Sequence, residues 1–217
     1  MTTEHRSDAP ARMIALTAIV LSLAYFVSDV VEALQGGFST GQLWLTLIAE
    51  AGIPVFVLGL AAVQRPRLGR VGWAGAAAYA YVYAFFTYTV VYALVEGTGD
   101  FDALSHDLRP WMFLHGALMV LAGLGFGIGV LRAGVLPRWT AATLIAGVVL
   151  VALADGLPEG PQLVAAAVRD LGFLGMGVAL LRAPVERHGT GSRRGATVAK
   201  PAAKRSAAAH PLASPRR

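Results

Sequence analysis

The chain contains no cysteine among its 217 residues. This absence excludes disulfide bonds, thiolate catalysis, and metal or iron–sulfur sites built on cysteine. Charged residues are also scarce, at 14% of the sequence against 56% hydrophobic residues. A soluble domain carries more charge on its surface, so the composition indicates a chain that lies largely in lipid.

Some common catalytic signatures are missing as well. The sequence holds neither an HExxH zinc-binding pattern nor a phosphate-binding Walker loop. Carboxylate pairs inside the apolar runs could serve general acid and base chemistry, but nothing in their spacing selects a substrate. The sequence therefore favours a protein that is not an enzyme, and it predicts no cofactor and no metal site.

Long apolar runs make up most of the remaining chain. At a rise of about 1.5 Å per residue, a run of roughly 18 residues crosses about 30 Å of hydrocarbon as a helix. The runs show no alternation of apolar and polar residues with a period of two, as a membrane barrel requires. The sequence predicts an all-α integral membrane bundle of six transmembrane helices, at residues 13–34, 41–63, 71–95, 111–131, 139–157 and 162–181. The fifth predicted span is the weakest, because its charge-free part is short.

Basic residues in the connections alternate along the chain. Arginines occupy the connections at residues 64–70 and 132–138, whereas those at 35–40 and 156–161 contain no basic residue. The connection at residues 96–110 has one arginine against four acidic residues. Since cytoplasmic loops are enriched in Lys and Arg, we expect both termini, including the segment 1–12, on the cytoplasmic side of a plasma membrane.

The C-terminal segment, residues 182–217, differs in composition from the rest. It carries nine basic residues against Glu186, interspersed with Ala, Gly, Ser and Pro, which is typical of a disordered tail. Beside a cytoplasmic leaflet we expect it to bind anionic lipid headgroups, with about 1 kcal/mol for each basic residue that reaches the surface. Nucleic-acid binding is disfavoured, because the tail has no aromatic residue on which bases could stack.

Two predicted spans are rich in glycine. Small residues spaced along one face let helix backbones approach closely in lipid. We therefore predict close helix contacts for these two spans, and self-association of the protein through them as a further use. The glycines are those at positions 123, 125, 127 and 129 in the fourth span and 172, 175 and 177 in the sixth.

Ionisable side chains inside the predicted spans are the candidate functional residues. A charged side chain at the bilayer centre costs about 2.5 to 3.5 kcal/mol on insertion scales, so each one is a functional hypothesis. Counting residues from the outer ends of their helices places Glu50, Arg169 and Asp170 near mid-membrane. Asp29 and His115 lie closer to the outer surface.

Polar residues also recur at helical spacing on three spans. Residues three, four and seven apart share one helix face, and a polar face in contact with lipid is costly. We therefore predict that these stripes face one another and line a cavity that opens to the outside. They consist of Tyr25, Ser28, Asp29 and Glu32 in helix 1, Gln42, Thr46 and Glu50 in helix 2, and Tyr81, Phe85, Tyr88 and Tyr92 in helix 3.

Arg169 needs a partner at its predicted depth, because a guanidinium stays charged. Glu50 or Asp29 is the expected partner. Asp170 is adjacent in sequence but about 100 degrees further round the helix. We therefore expect Asp170 to contact a different neighbour.

Two interpretations of these residues stay open. In one they form a ligand or ion site of a small transporter or binding component, with the site residues Glu50, Arg169, Asp170, Asp29, Tyr88 and His115. In the other they form a polar network that fixes helix packing in a structural or accessory membrane protein. For His115 and for the tyrosines of helix 3, a packing role is favoured over ligand contact.

One connection resembles a known pattern. Residues 131–139 read Leu-Arg-Ala-Gly-Val-Leu-Pro-Arg-Trp, which is similar to a turn in uncharacterised multi-pass membrane proteins of high-GC bacteria, especially actinobacteria. Sixteen arginines against two lysines fit such a source. The resemblance covers one hairpin and the general six-helix layout. It implies a bacterial plasma membrane and no particular activity.

Overall fold

A computed structural model of the chain describes residues 8–183, and this part is helical with no strand. Six helices are long and one, α4, has seven residues. The predicted all-helical class is confirmed for these residues. The helices are α1 (Asp8–Gln35), α2 (Thr40–Val63), α3 (Gly69–Glu96), α4 (Phe101–Asp107), α5 (Trp111–Ala133), α6 (Arg138–Ala154) and α7 (Glu159–Arg182).

Five of these helices have the length and the apolar composition needed to cross a membrane: α1, α2, α3, α5 and α7. The sixth apolar helix, α6, has 17 residues and ends at Ala154, three residues before the end of the predicted span. This set of helices is compatible with a multi-pass membrane protein. The predictions for residues 1–7 and for the basic tail from residue 184 onward lie outside the described residues.

The six long helices pack as a closed ring in chain order. Each contacts the helix before it, and α7 closes the ring by packing against α1. The connections α1–α2 and α3–α4 lie at the same end of the ring, where the Phe38 N–H donates to the carbonyl oxygen of Gly99 at 2.7 Å. Successive long helices therefore alternate in direction.

An aromatic cluster around Phe173 fills the middle of the ring. The Phe173 ring centroid lies 5.3 Å from that of Phe56, 5.6 Å from Tyr79 and 6.5 Å from Phe126. These four side chains come from α2, α3, α5 and α7 and are all buried. The cluster therefore joins four helices of the ring.

Glycines allow close helix contacts, as the sequence predicts. A Cβ added at Gly75 of α3 would meet the backbone nitrogen of Phe126 in α5, and one at Gly129 of α5 would meet the Cα atom of Gly72. A Cβ at Gly177 of α7 would lie 2.8 Å from the carbonyl oxygen of Ala15 in α1. These contacts lie within one chain, and self-association stays a prediction.

Helix α4 is absent from the sequence prediction, which treats residues 96–110 as an outer loop. Asp100 caps this helix, since its Oδ1 accepts the Ala103 N–H at 2.8 Å. Leu104 is buried against Leu43 and Val90, which attaches α4 to α2 and α3. The seven-residue helix is too short to give an amphipathic pattern, but an aspartate before Phe101 and Leu104 is a recognisable start signal.

Candidate functional site

A cavity of about 290 Å³ opens at the end of the ring that carries α4. All seven helices contribute to its wall. In each of α2, α3, α5 and α7, the ring of the Phe173 cluster lies one to two helical turns further from the mouth than the last residue of that helix that lines the cavity. The cluster therefore closes the cavity on the side away from its mouth.

Arg169 lies in the cavity wall although it is buried within α7. Its Nε donates to Asp170 Oδ1 at 2.9 Å, and its Nη2 is 3.9 Å from Asp29 Oδ2 on α1. The guanidinium carbon lies 4.9 Å from the centroid of the Tyr25 ring. Two carboxylates and one aromatic face thus surround this cation.

These contacts test the expected partners of Arg169. Asp29 is a partner, as proposed, whereas Glu50 is not within ion-pair distance of Arg169 among the described contacts. The expectation that Asp170 contacts a different neighbour is wrong. Arginine is long enough for its Nε to reach the adjacent carboxylate, despite the 100 degree separation of the two side chains round the helix.

Backbone packing fixes where Arg169 lies. A Cβ added at Gly147 of α6 would meet the backbone nitrogen and Cα atom of Arg169. Glycine at position 147 therefore lets α6 and α7 approach closely at the level of the cavity.

Glu50 is the second buried charge in the wall and is 4% exposed. Its Oε1 accepts a hydrogen bond from the hydroxyl of Tyr25 at 2.9 Å. Tyr25 lies one turn before Asp29 on α1, so one tyrosine contacts Glu50 through its hydroxyl and Arg169 through its ring. Glu50 and Arg169 are thereby brought to the same cavity.

A polar network crosses between α1 and α2 nearer the mouth. Gln42 Nε2 donates to Ser28 Oγ at 3.0 Å and to Glu32 Oε2 at 3.3 Å. Ser28 Oγ also contacts Thr46 Oγ1. The stripes predicted on helices 1 and 2 therefore face each other, and their members Glu32, Gln42 and Thr46 line the cavity.

Some buried polar atoms in this region have no hydrogen-bond partner among the described residues. They include Glu50 Oε2, Arg169 Nη2 and Asp170 Oδ2. A buried polar group without a hydrogen bond costs about 1 to 3 kcal/mol, and more when it is charged. An acceptor on Glu50 and a donor on Arg169 are thus available to a bound molecule.

Two predicted site residues lie away from the cavity. Tyr88 is 55% exposed on the outer surface of α3 and does not line the cavity, so the placement predicted for the helix 3 stripe is wrong. His115 is buried between α5 and α3, with its ring stacked on Phe85 at a centroid distance of 3.6 Å. Its Nδ1 lies 2.9 Å from the carbonyl oxygen of Trp111, and its Nε2 lies 3.3 Å from the Tyr81 hydroxyl. Its contacts are those of a packed side chain.

The α3 residues that do reach the cavity are Tyr83, Phe86, Thr89 and Val90. Three of them share one face of α3, because Phe86 and Val90 lie three and seven residues after Tyr83. The sequence signal was ambiguous, because α3 is rich in aromatic residues on more than one face. Tyrosine and phenylalanine can face lipid as readily as a cavity.

The mouth carries acidic and amide side chains that are not among the six predicted site residues. Asp155 and Glu159 are exposed there, beside Gln162. Phe101 and Leu104 of α4 complete the rim. The entrance is therefore acidic on the side of α6 and α7 and apolar on the side of α4.

Residues 37–41 read Gly-Phe-Ser-Thr-Gly, which matches the letters of a GxSxG serine-nucleophile pattern. That pattern acts on a sharp turn between a strand and a helix. Here Ser39 follows the α1–α2 connection and caps α2, with its Oγ accepting the Gln42 N–H at 3.4 Å. Ser39 is therefore a helix cap, and the match carries no catalytic meaning.

Comparison with protein-family models, with curated proteins and with solved structures finds no match to this chain.

Proposed function

We propose that the protein crosses a bacterial plasma membrane six times, with both termini in the cytoplasm. The 17 residues of α6 give a helix of about 25 Å, at the short end of the range for a span. Its position in the ring between α5 and α7 supports a crossing beside them. The arginine-rich connections at the closed end of the ring support a cytoplasmic location for that end.

We infer that the cavity binds a small solute from the outer side of the membrane. One observation carries this inference: Glu50 and Arg169 are both buried in the wall of one cavity, and each has a polar atom without a hydrogen-bond partner. Keeping two charges at this depth is costly, and a solute that bonds to at least one of their unpaired atoms offsets part of the cost. A volume of about 290 Å³ suits a small molecule.

A structural or accessory role is the alternative. The contacts Tyr25–Glu50 and Arg169–Asp29 join α1 to α2 and α7, as expected for a network that fixes helix positions. In that case the cavity holds water alone. The atoms without partners favour binding, because a network that only stabilises the bundle gains from satisfying all its members.

Transport across the membrane is a further step beyond binding. The cavity has its mouth at one end, and the Phe173 cluster lies between it and the other end of the ring. Release of a solute on the cytoplasmic side would require the four rings of that cluster to separate. The proposal is therefore a solute-binding membrane protein that acts as a small transporter or as a binding component.

A thermal-shift screen of small solutes against cavity-blocked variants tests this function. Ala166 lines the cavity, whereas Val164, two residues earlier on α7, is 62% exposed on the outer surface. Ala166→Phe should fill the cavity, and Val164→Phe should leave it open. Cationic, anionic, zwitterionic and neutral solutes are titrated into the purified full chain in detergent.

We expect at least one solute to raise the Tm of the wild type and of Val164→Phe but not that of Ala166→Phe. A ligand at a hundred times its Kd adds about 2.7 kcal/mol to stability, which such a screen resolves. If no solute of any class acts in this way, the accessory role is correct and the binding proposal fails.

A further inference from the structure

We propose that the ligand of this cavity is a small organic cation, an ammonium or guanidinium group on a compact apolar body. The inference rests on the proposed solute-binding function and specifies its substrate class.

The charge of the wall favours a cation. Within the described part of the chain, one basic side chain, Arg169, lines the cavity against five carboxylates. These are Asp29, Glu32, Glu50, Asp155 and Glu159. Asp155 and Glu159 are exposed at the mouth, so an approaching cation meets a negative entrance first. An anion would be repelled there before it reached Arg169.

Arg169 has one donor without a hydrogen-bond partner, Nη2, but the carboxylates beside its guanidinium oppose the binding of an anion there. Its Nε bonds to Asp170 Oδ1 at 2.9 Å and its Nη2 is 3.9 Å from Asp29 Oδ2. Two carboxyl groups beside one guanidinium offset its charge, so the group offers an anion little attraction. Two buried acceptors in the described cavity wall lack a hydrogen-bond partner, Gln42 Oε1 and Glu50 Oε2. Glu50 Oε2 belongs to a carboxylate, and it is the atom we assign to the bound cation.

The rest of the wall explains why the cation should be organic. Aromatic side chains line the cavity, including Tyr83, Phe86 and Phe101, and aromatic faces attract organic cations. Met112 and Met119 add adaptable apolar surface. Among the described residues, no three His, Asp or Glu side chains are grouped so that they could hold a metal ion. A cation with an apolar body uses both parts of this wall.

Binding of matched probes to the purified full chain tests the charge preference. Methylammonium, n-butylammonium and benzylammonium are compared with n-butanol and butyrate, all at equal concentration and ionic strength, by their effect on Tm. We expect at least one ammonium ion to raise the Tm of the wild type, and neither n-butanol nor butyrate to do so. The effect should vanish in Ala166→Phe.

Two carboxylate variants locate the cation. Glu50→Gln should weaken ammonium binding by about tenfold or more, the order expected for loss of one charge-assisted hydrogen bond. Glu96→Gln is the control, since Glu96 is exposed at the end of α3 and is not part of the wall. If Glu50→Gln fails to fold, Asp155→Asn at the mouth replaces it and should weaken binding by a smaller factor.

The outcomes separate this inference from the function on which it rests. If anionic or neutral solutes bind in a way that Ala166→Phe abolishes while ammonium ions do not, the cavity binds a solute and the cation assignment is wrong. The assignment is equally wrong if no ammonium ion acts on the wild type, or if Glu50→Gln and Glu96→Gln bind ammonium ions alike.

Discussion

Arg169 illustrates how a single buried charge is held in this bundle. It is 5% exposed, and its guanidinium lies between Asp170 on the same helix and Asp29 on α1. Removing one member of such a group leaves the other charges buried without a partner. The resulting loss of stability is larger than the net stabilisation that the ion pair itself provides. The stability of the cavity wall should therefore depend on the pairing rather than on each charge separately.

A double-mutant cycle at Arg169 and Asp170 tests this dependence. Arg169→Gln should destabilise the protein by about 3 to 5 kcal/mol, because it leaves both carboxylates without their cation. The double variant Arg169→Gln/Asp170→Asn should lose less than the sum of the two single variants. Unfolding of the purified proteins in mixed detergent measures the change in the free energy of unfolding for the two single variants and the double variant.

Arg70→Gln is the matched control for that cycle. Arg70 is exposed near the start of α3, away from the cavity, and should change stability by no more than about 0.5 kcal/mol. Additive losses in the cycle would mean that the ion pair between Arg169 and Asp170 contributes no coupling energy to the stability of the protein.

The cavity stripes on helices 1 and 2 could be predicted because polar residues on those helices are few and follow one helical face. Asp29, Glu32, Gln42 and Glu50 have no neighbouring polar stripe with which they could be confused. On α3 the same argument from residue spacing predicted Tyr88, which is exposed, and missed Tyr83, which lines the cavity. Spacing identifies residues that share a face, but it does not say which of two aromatic faces turns inward.

At the scale of helices, close packing at glycine determines where the cavity residues lie. Gly147 of α6 lies against the backbone of Arg169, and Gly172 of α7 lies against the backbone of Leu144. These contacts set the separation of α6 and α7. A side chain at either glycine would move Arg169 relative to Asp29 on α1.

Alanine substitutions at selected glycines test this packing. Gly147→Ala and Gly75→Ala should each lower stability by about 1 to 3 kcal/mol, since the added methyl group meets backbone atoms that cannot rotate away. Gly116→Ala in α5 is the control, because a Cβ there has no heavy atom within 4 Å. Melting of the three variants in one detergent provides the comparison.

Equal melting temperatures for all three glycine variants would contradict the packing described for α3–α5 and α6–α7. Gly147→Ala carries an additional expectation, because it displaces Arg169. It should weaken solute binding in the cavity, whereas Gly75→Ala, at the α3–α5 contact, should affect mainly stability.

The long helices were predictable, and the short helix was not. Crossing a bilayer requires about 20 apolar residues, so each span leaves a strong composition signal. Helix α4 has seven residues, and Leu104 alone among them is buried. A helix of that length is defined by its cap and by its contact with Leu43 and Val90, and such a contact is not visible in composition.

At the scale of the whole molecule, the ring divides its charges between its two ends. Arg65, Arg67 and Arg132 lie at the closed end, and Asp100, Asp155 and Glu159 lie at the end that carries the mouth. The sequence predicted this division, because it follows from the connections. It did not predict that α7 packs against α1, because composition identifies long apolar helices but not the helices against which they pack.

Whether α6 crosses the membrane decides between five and six spans. Two single-cysteine variants, one on each side of α6, test this crossing. The sequence contains no cysteine, so each variant carries a single reactive thiol. Val135 and Leu157 are 40% and 47% exposed in the connections on either side of α6. If α6 crosses with the cavity facing out, an impermeant maleimide added to intact cells should label Leu157→Cys and spare Val135→Cys. Permeabilised cells, in which both should react, are the control.

Labelling of both variants from outside, or of neither, would mean that α6 does not separate the two sides. Labelling of Val135→Cys alone would reverse the orientation and place the cavity mouth in the cytoplasm.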